Sequence, residues 1–241
     1  MCTVSFVQTA LGIVITSNRD EQVLRSAEFP QTYNLNNKKI TYPKDPKAGG
    51  TWFALAHEAG RVVVLLNGAE HKHARASSYR KSRGMVLLDL ISADETISTN
   101  WQTYALHDIE PFTVVVFENH ALYQLRWDGS QKSVVPLPTS QPYIWSSATL
   151  YSPEVRDQRQ AWFTEFLNQN NIPTAEDLIQ FHRSSPTTDK QYNFMMERSD
   201  ELKTISITQA IITANQFQLK HFDLLLKQTE IYLFDSLNPS L

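Results

Sequence analysis

The sequence predicts an α+β protein with largely antiparallel strands and helices gathered on the sheet faces. Short β-rich segments occur in pairs joined by turn residues, as in hairpins. The helical segments form two blocks between groups of strands and do not alternate with single strands. No repeat, low-complexity tract or long linker divides the 241 residues. We therefore expect one domain over residues 1–241.

The first half of the chain predicts two hairpins. Residues 2–8 and 11–17 are rich in β-forming side chains, with turn residues between them. Residues 51–57 and 61–67 form a second such pair around a Gly-containing turn. The polar segment between the hairpins, residues 26–50, contains three prolines and a Gly-Gly pair, so we interpret it as a long connection that packs over a site.

Apolar residues at helical spacing, preceded by capping residues, predict four helices. Their ranges and start signals are 82–92 with Ser82, 95–105 with Asp94, 153–169 with Pro153 in the first turn, and 174–182 with Thr174 and Asp177. The remaining β-rich segments predict strands at 112–118, 121–127, 203–213, 216–226 and 230–234. The order is strands, helices, strands, helices, strands.

Composition limits the function classes. The net charge is −3, with no basic surplus that would indicate a nucleic-acid partner. No apolar run approaches the roughly 18 residues needed to span a bilayer. The amino-terminal segment lacks a basic region followed by an apolar core, so we do not interpret it as a signal peptide. The single cysteine excludes an intramolecular disulfide and fits a reducing compartment, so we expect a cytoplasmic protein. The oligomeric state stays open.

That single cysteine is Cys2, directly after Met1. Removal of Met1, which a small second residue permits, leaves a first residue with both a thiol and an α-amine. The thiolate is a strong nucleophile, and the amine titrates near pH 8 and can act as its base. This is the arrangement of the N-terminal-nucleophile enzymes. The alternative is that Cys2 is a small apolar residue that starts a buried strand.

A second feature is Asn18-Arg19-Asp20-Glu21, which follows the second predicted strand. In a hairpin, residues at equal distances from the turn lie opposite each other, so this segment returns close to Cys2. Arg19 then lowers the thiol pKa, and Asp20 holds or orients the amine. The alternative is a polar turn with a surface ion pair.

A third feature is Asn67, which ends an apolar strand and precedes Gly68. An amide donor that is partly shielded from water is suited to an oxyanion hole. The alternative is an ordinary turn at the end of a strand.

Four short motifs together point to a known family: Met1-Cys2-Thr3, Asn18-Arg19-Asp20-Glu21, Gly49-Gly50-Thr51-Trp52 and Leu66-Asn67-Gly68. On these motifs the chain resembles the NRDE family, also called the transport-and-Golgi-organisation-2 family. That family is similar in turn to the cysteine N-terminal-nucleophile hydrolases. The resemblance implies an αββα sandwich of two antiparallel sheets between helical layers.

The resemblance also implies residue roles. Cys2 is the expected nucleophile, Arg19 and Asp20 match the Arg and Asp after the second strand of the hydrolases, and Asn67 matches an oxyanion-hole Asn. In the hydrolases another residue separates that Arg from that Asp, whereas Arg19 and Asp20 are adjacent in this chain. The hydrolases use a second Asn where this chain has Ser147, a shorter donor. We also assign substrate binding to Asn18, Trp52 and Ser147.

Two functions follow from these features. The first is a hydrolase or acyltransferase that acts on a non-peptide amide, with Cys2 as nucleophile and no cofactor. The second is a non-catalytic protein that binds or traffics haem or an acyl ligand on the same fold, because thiolate and imidazole both ligate haem. His71 and His73 form a His-x-His pair that suits the second function, but we expect no metal site because no further ligand cluster is evident.

Overall fold

The computed structural model describes residues 3–235, and these residues form thirteen strands, four α-helices and a short 3-10 helix, His57–Ala59. The strands form a six-stranded and a seven-stranded sheet, in which every strand pair is antiparallel. The prediction of an α+β protein with antiparallel sheets is confirmed. No helix in this part of the chain is long and apolar enough to cross a membrane.

The chain divides into two compact units. The first is built from both ends of the chain, up to Ser26 and from Ser140 onward. Its sheet has the strand order β10-β1-β2-β11-β12-β13. The strands are β1 Thr3–Thr9, β2 Gly12–Gln22, β10 Tyr143–Ser146, β11 Leu202–Ile212, β12 Gln216–Asp223 and β13 Gln228–Asp235, and the helices are α3 Pro153–Gln169 and α4 Ala175–His182.

The second unit spans Ala27–Thr139. Its sheet follows the chain, in the order β3-β4-β5-β6-β7-β8-β9. The strands are β3 Glu28–Leu35, β4 Lys38–Lys44, β5 Phe53–Ala56, β6 Arg61–Asn67, β7 Phe112–Glu118, β8 Ala121–Trp127 and β9 Lys132–Leu137, and the helices are α1 Arg83–Ser92 and α2 Ile97–Thr103. A single domain over residues 1–241 stays a prediction.

In the first unit, α3 and α4 pack on one face of the sheet. Val7 and Val14 supply the sheet side of this core, and Phe163, Phe181 and Phe194 supply most of the aromatic surface. The rings of Phe181 and Phe194 lie 4.3 Å apart. Burial of each such side chain contributes roughly 1.5–3 kcal/mol, so this cluster fixes both helices against the strands.

Local capping explains where the helices begin. Thr174 and Asp177 form the predicted capping box of α4. Ser82 caps α1 as predicted. The start of the next helix was predicted wrongly: Thr96, not Asp94, caps α2, because its hydroxyl accepts a hydrogen bond from the backbone N–H of Thr99 at 3.2 Å.

Residues 26–50 are not a long connection, and this prediction is corrected. They contain the hairpin of β3 and β4, whose turn residues Asn36 and Asn37 have φ of 49° and 62°. Asn tolerates positive φ, and a two-residue turn of this kind suits a hairpin. The sequence obscured this hairpin because it carries prolines, but Pro30 lies on the edge strand at a shift in register, where a missing N–H is tolerated.

Strands β9 and β10 were not predicted, and the last hairpin has different bounds. β12 ends at Asp223 rather than at residue 226. The carboxylate of Asp223 accepts hydrogen bonds from the backbone N–H groups of Leu225 at 2.9 Å and Leu226 at 2.8 Å. An Asp side chain that bonds the backbone two residues ahead closes a turn, so the apolar residues after it belong to that turn.

Candidate active site

Strand β2 continues beyond its predicted end, so the Asn-Arg-Asp segment lies inside the strand. Thr3 of β1 lies opposite Asn18. The exposed fractions of Asn18, Arg19 and Asp20 are 0%, 2% and 2%. Charged residues are almost never buried to this degree without partners. The alternative of an exposed polar turn is therefore excluded.

Asn18 uses its side-chain amide entirely within the protein. Its Nδ2 donates to the backbone carbonyls of His182 at 3.0 Å and Phe194 at 2.7 Å. Its Oδ1 therefore faces Nδ1 of His182 at 2.6 Å, and the ring nitrogen must be the donor in that hydrogen bond. This arrangement joins β2 to the end of α4 and fixes the tautomer of His182.

The other ring nitrogen of His182 lies 2.7 Å from Oγ of Ser5. Because Nδ1 carries the proton, Nε2 accepts from the Ser5 hydroxyl. Ser5, His182 and Asn18 thus have the connectivity of a nucleophile, base and orienting group. All three are fully buried, and burial, with a smaller effect from the nearby Arg159 cation, lowers the pKa of His182 to about 3. We assign this chain of hydrogen bonds to structure, because substrate cannot reach it.

Asp20 is held by two hydroxyl groups. Its Oδ2 accepts from the Tyr151 hydroxyl at 2.8 Å, and its Oδ1 accepts from Oγ1 of Thr204 at 2.6 Å. Oγ1 of Thr204 also accepts from the backbone N–H of Met196 at 2.9 Å. The Asp20 carboxylate is therefore fixed between β2, β11 and the segment before α3.

Arg19 points to the opposite face of β2 from Asn18, because successive side chains of a strand alternate. Its Nη1 donates to the backbone carbonyl of Arg25 at 2.6 Å. Ser206 of β11 lies opposite it. Burial and the Arg19 cation together lower the pKa of His221, on the neighbouring β12, to about 4. Arg19 thus belongs to a buried polar surface on this face of the sheet.

Arg159 of α3 is a site residue that the sequence analysis did not assign. It is fully buried, its Nε donates to Oγ of Ser146 at 3.0 Å, and its Nη2 donates to Oγ1 of Thr3. Its Nη1 donates to the backbone carbonyls of Tyr192 and Asn193, both at 2.8 Å. One signal was available in the sequence: at helical spacing Arg159 shares a face with the apolar residues Val155, Trp162, Phe163 and Phe166.

Ser147 directly follows Ser146, the last residue of β10, and Ser146 lies opposite Thr3. The hydroxyl of Ser147 lies 2.9 Å from that of Thr149, and its backbone carbonyl accepts from the N–H of Tyr151 at 3.0 Å. The structure therefore brings Asn18, Arg19, Asp20 and Ser147 to the part of the first unit where β1 begins.

Asn67 and Trp52 belong to the second unit. Asn67 is the last residue of β6, opposite Phe112. The following Gly68 has φ of 83° and donates its N–H to the carbonyl of Pro111 at 3.0 Å. The same carbonyl accepts from Nη1 of Arg83 at 3.3 Å. Asn67 therefore ends its strand beside a left-handed glycine and a cationic side chain.

Trp52 is buried, and its motif packs against the start of α1. An added Cβ at Gly50 would lie 2.4 Å from the backbone carbon of Gly84, and one at Gly84 would lie 2.7 Å from the carbonyl oxygen of Thr51. Only residues without a Cβ permit this approach. The Gly49-Gly50-Thr51-Trp52 motif and the first residues of α1 thus form one structural contact.

The histidine segment after Asn67 contacts a carboxylate that also pairs with Arg83. Nε2 of His73 lies 3.3 Å from Oε1 of Glu110, and Nη2 of Arg83 lies 3.1 Å from Oε2 of the same carboxylate. Within residues 3–235, no group of three or more His, Cys, Asp or Glu side chains is placed to hold a metal ion. His71 joins no such group.

Cys2, the predicted nucleophile, lies outside the described residues. The residue that follows it, Thr3, lies opposite Asn18. Two antiparallel sheets, and a buried polar cluster where the first two strands meet, define an α+β protein with its candidate site at the start of the chain.

The family model for Transport and Golgi organisation 2 matches residues 1–223. The chain belongs to this family. A search of curated proteins found no match.

Proposed function

We propose that this protein is a cysteine N-terminal-nucleophile hydrolase or acyltransferase that cleaves a non-peptide amide bond. One observation carries the proposal: Arg19 and Asp20 are buried inside β2, in the stretch that lies opposite the start of β1. Thr3, the residue after Cys2 in the sequence, lies opposite Asn18, the residue before Arg19. We assign the lone thiol the role of a thiolate nucleophile, and we place the enzyme in the reducing cytoplasm.

The reaction begins after Met1 is removed. The α-amine of Cys2 takes the thiol proton, and the thiolate attacks the amide carbonyl carbon to form a C–S bond. In this proposal the Arg19 cation favours the thiolate. Asp20, held by the hydroxyls of Tyr151 and Thr204, orients the α-ammonium.

The tetrahedral intermediate then collapses. The C–N bond breaks, and the α-ammonium gives its proton to the leaving amine, which leaves a thioester on Cys2. Water, or an acceptor amine or alcohol, attacks the thioester carbonyl and gives a proton to the α-amine. The C–S bond breaks, and the thiol is regenerated with a carboxylic acid or a transferred acyl group as product.

We propose Asn67 as an oxyanion donor, with Ser147 and Trp52 as substrate contacts. The left-handed Gly68 supports the first role, because it ends β6 directly after the amide side chain. Asn18 acts on substrate only through the strand it holds, since its amide makes three hydrogen bonds within the protein.

A second function, binding of an acyl ligand, has one observation in its favour. The first unit contains an apolar cavity of about 370 Å³. It is lined by the β1–β2 turn, by residues 172–176, by the end of β11 and by the start of β12. This volume falls within the range of small-molecule pockets. Among the described residues, its lining contains no His, Cys, Met or Tyr that could ligate iron, so the cavity suits an acyl chain better than haem.

The pH dependence of Cys2 alkylation tests the catalytic proposal. Intact mass establishes whether Met1 is removed, and because the chain has one cysteine, each iodoacetamide adduct reports Cys2 alone. The matched control is Gln158→Cys in a Cys2→Ser background, because position 158 lies on the exposed side of α3. The control thiol should titrate near pH 8.5, and Cys2 at least about one unit lower.

Activity is then measured against a panel of linear fatty-acyl amides, with release of the amine as the readout. Wild-type protein should release amine with an initial burst as the thioester forms, and Cys2→Ala should release none. Retention of Met1, or a Cys2 thiol that titrates with the control, would overturn the catalytic proposal. Saturable fatty-acid binding by the Cys2→Ala variant would then favour the carrier function.

A further inference from the structure

The apolar cavity of the first unit lies at the opposite end of the β1–β2 hairpin from the candidate active site. The candidate site is at the start of β1, where Thr3 lies opposite Asn18, and the cavity is at the turn that follows β1. A strand rises about 3.3 Å per residue, so Thr3 and Thr9 are roughly 20 Å apart. A ligand in the cavity therefore occupies a second site, distinct from the one that contains Arg19 and Asp20.

A strip of the sheet and two loops line this cavity. Gln216, Gln218 and Lys220 alternate along β12, so their side chains lie on one face of the sheet, over a length of roughly 13 Å. Leu11 lies on one loop and Ile172 on the other, and their exposed fractions are 79% and 67%. Large apolar side chains that stay exposed around a cavity are typical of a ligand-binding groove.

The apolar surface continues from the cavity onto β13. Leu233 lies opposite Gln218, and Ile231 lies opposite Lys220, so both apolar side chains share the face of the sheet that lines the cavity. Their exposed fractions are 57% and 55%. The elongated cavity and this neighbouring surface suit an extended alkyl chain better than a compact ring.

Lys220 is the one cation among the described residues that line the cavity. Its side chain is half-buried, and no carboxylate among residues 3–235 forms an ion pair with it. Glu176, the one carboxylate of the described lining, accepts a hydrogen bond from Nε2 of Gln180 at 2.8 Å. An ammonium group without an ion-pair partner, beside an apolar surface, complements an anionic group at the end of an alkyl chain.

We propose that this cavity binds a straight-chain fatty acid, with the alkyl chain along β12 and the carboxylate on the Lys220 ammonium. The inference rests on the carrier function proposed above, to which it adds the ligand class and the residue that recognises it. It does not involve Cys2, because the cavity and the candidate active site lie at opposite ends of β1.

The test compares the affinities of decanoate, decanol and decylamine at pH 7 by titration calorimetry, because the three probes share an alkyl chain and differ in the charge of the end group. Wild-type protein should bind decanoate about tenfold more tightly than decanol. Lys220→Met should weaken decanoate binding about tenfold and leave decanol binding unchanged, whereas Lys220→Arg should keep most of the preference. Gln218→Trp adds a large side chain to the lining and should abolish the binding of both.

The matched control is Lys203→Met, a half-buried lysine of β11 outside the cavity lining, which should leave all three affinities unchanged. If the wild type binds none of the probes, the carrier function and this inference are overturned together. If it binds them but Lys220→Met weakens decanoate and decanol equally, or neither, this inference alone is overturned. Tighter binding of decylamine than of decanoate, or full binding by Gln218→Trp, would also overturn it.

Discussion

Asn18 and His182 are joined by a hydrogen bond of 2.6 Å, although 164 residues separate them in the sequence. The Asn18 amide has one orientation that satisfies both of its carbonyl acceptors, and that orientation fixes the proton of His182 on Nδ1. The family motif residue Asn18 therefore holds the end of α4 against the strand that carries Arg19 and Asp20.

Asn18→Asp should destabilise the protein strongly. The carboxylate keeps the bond to His182 but cannot donate to the carbonyls of His182 and Phe194, and each buried unsatisfied group costs about 1–3 kcal/mol. We expect the free energy of unfolding in urea at pH 7 to fall by about 3 kcal/mol. The matched control is Asn34→Asp on exposed β3, with a change within about 0.5 kcal/mol. Equal losses in the two variants would contradict this role for Asn18.

The stability of the protein should fall as the pH falls from 7 to 5, in part because of His182 and His221. In the unfolded chain each histidine binds a proton below about pH 6.5. In the folded protein burial, with Arg159 near His182 and Arg19 near His221, lowers the pKa values to about 3 and about 4. The unfolded state then binds more protons, so each histidine removes up to about 1.4 kcal/mol of stability per pH unit below 6.5.

His221→Gln should reduce the slope of unfolding free energy against pH over this range, because one of the two protons is no longer taken up on unfolding. The control is His107→Gln, an exposed histidine between α2 and β7, which should leave the slope unchanged. Urea denaturation at pH 7, 6 and 5 measures all three slopes. A slope in His221→Gln equal to that of the wild type would show that His221 is protonated in the folded state.

Local sequence signals predicted the elements that depend on local physics. The capping box of Thr174 and Asp177 set the start of α4, and Pro153 set that of α3, because these groups act within one helical turn. The hairpin of β3 and β4 was missed because the polar, proline-containing segment 26–50 indicated a connection, and the tolerance of Pro30 at a sheet edge depends on strand order. Strand order is a tertiary property that no window of sequence contains.

Only part of the candidate site was predicted, because its remaining contacts depend on tertiary structure. The Asn-Arg-Asp segment was identified through its resemblance to a family motif and its spacing from Cys2. Its partners were not, since Arg159 contacts Thr3 across 156 residues and His182 contacts Ser5 across 177 residues. The burial of Arg19 and Asp20 could not be predicted from neighbouring residues either. It depends on the pairing of β2 with β11, which lies about 180 residues later in the sequence.

The contact between Gly50 and Gly84 should be intolerant of side chains. A Cβ at either position meets backbone at 2.4 or 2.7 Å, and backbone cannot move aside as a flexible side chain can. We expect Gly50→Ala and Gly84→Ala each to cost about 3 kcal/mol or more in unfolding free energy. Gly60→Ala is the control: no atom lies within 4 Å of its added Cβ, and only its φ of 60° is unfavourable, so it should cost about 1 kcal/mol. A larger loss in Gly60→Ala would contradict the packing explanation.

Arg61 and Glu118 form a buried ion pair in the second unit, with exposed side-chain fractions of 7% and 2%. Arg61 also donates to the backbone carbonyls of Ala93 at 2.7 Å and Glu95 at 2.8 Å, and Glu118 accepts from the backbone N–H of Ile97 at 2.9 Å. The pair therefore joins β6 and β7 to the connection between α1 and α2.

Glu118→Ala should cost about 3–5 kcal/mol in unfolding free energy, because it leaves the Arg61 charge buried without its partner. The double variant with Arg61→Met should cost less than the sum of the two single variants, since it removes both charges. The control is Glu58→Ala, which breaks the exposed pair with Lys39 and should cost at most about 1 kcal/mol. Urea denaturation of the wild type, the two single variants and the double variant gives the coupling energy between positions 61 and 118. If the losses in unfolding free energy of the two single variants add up to that of the double variant, the buried pair stabilises the protein no more than the exposed pair of Lys39 and Glu58 does.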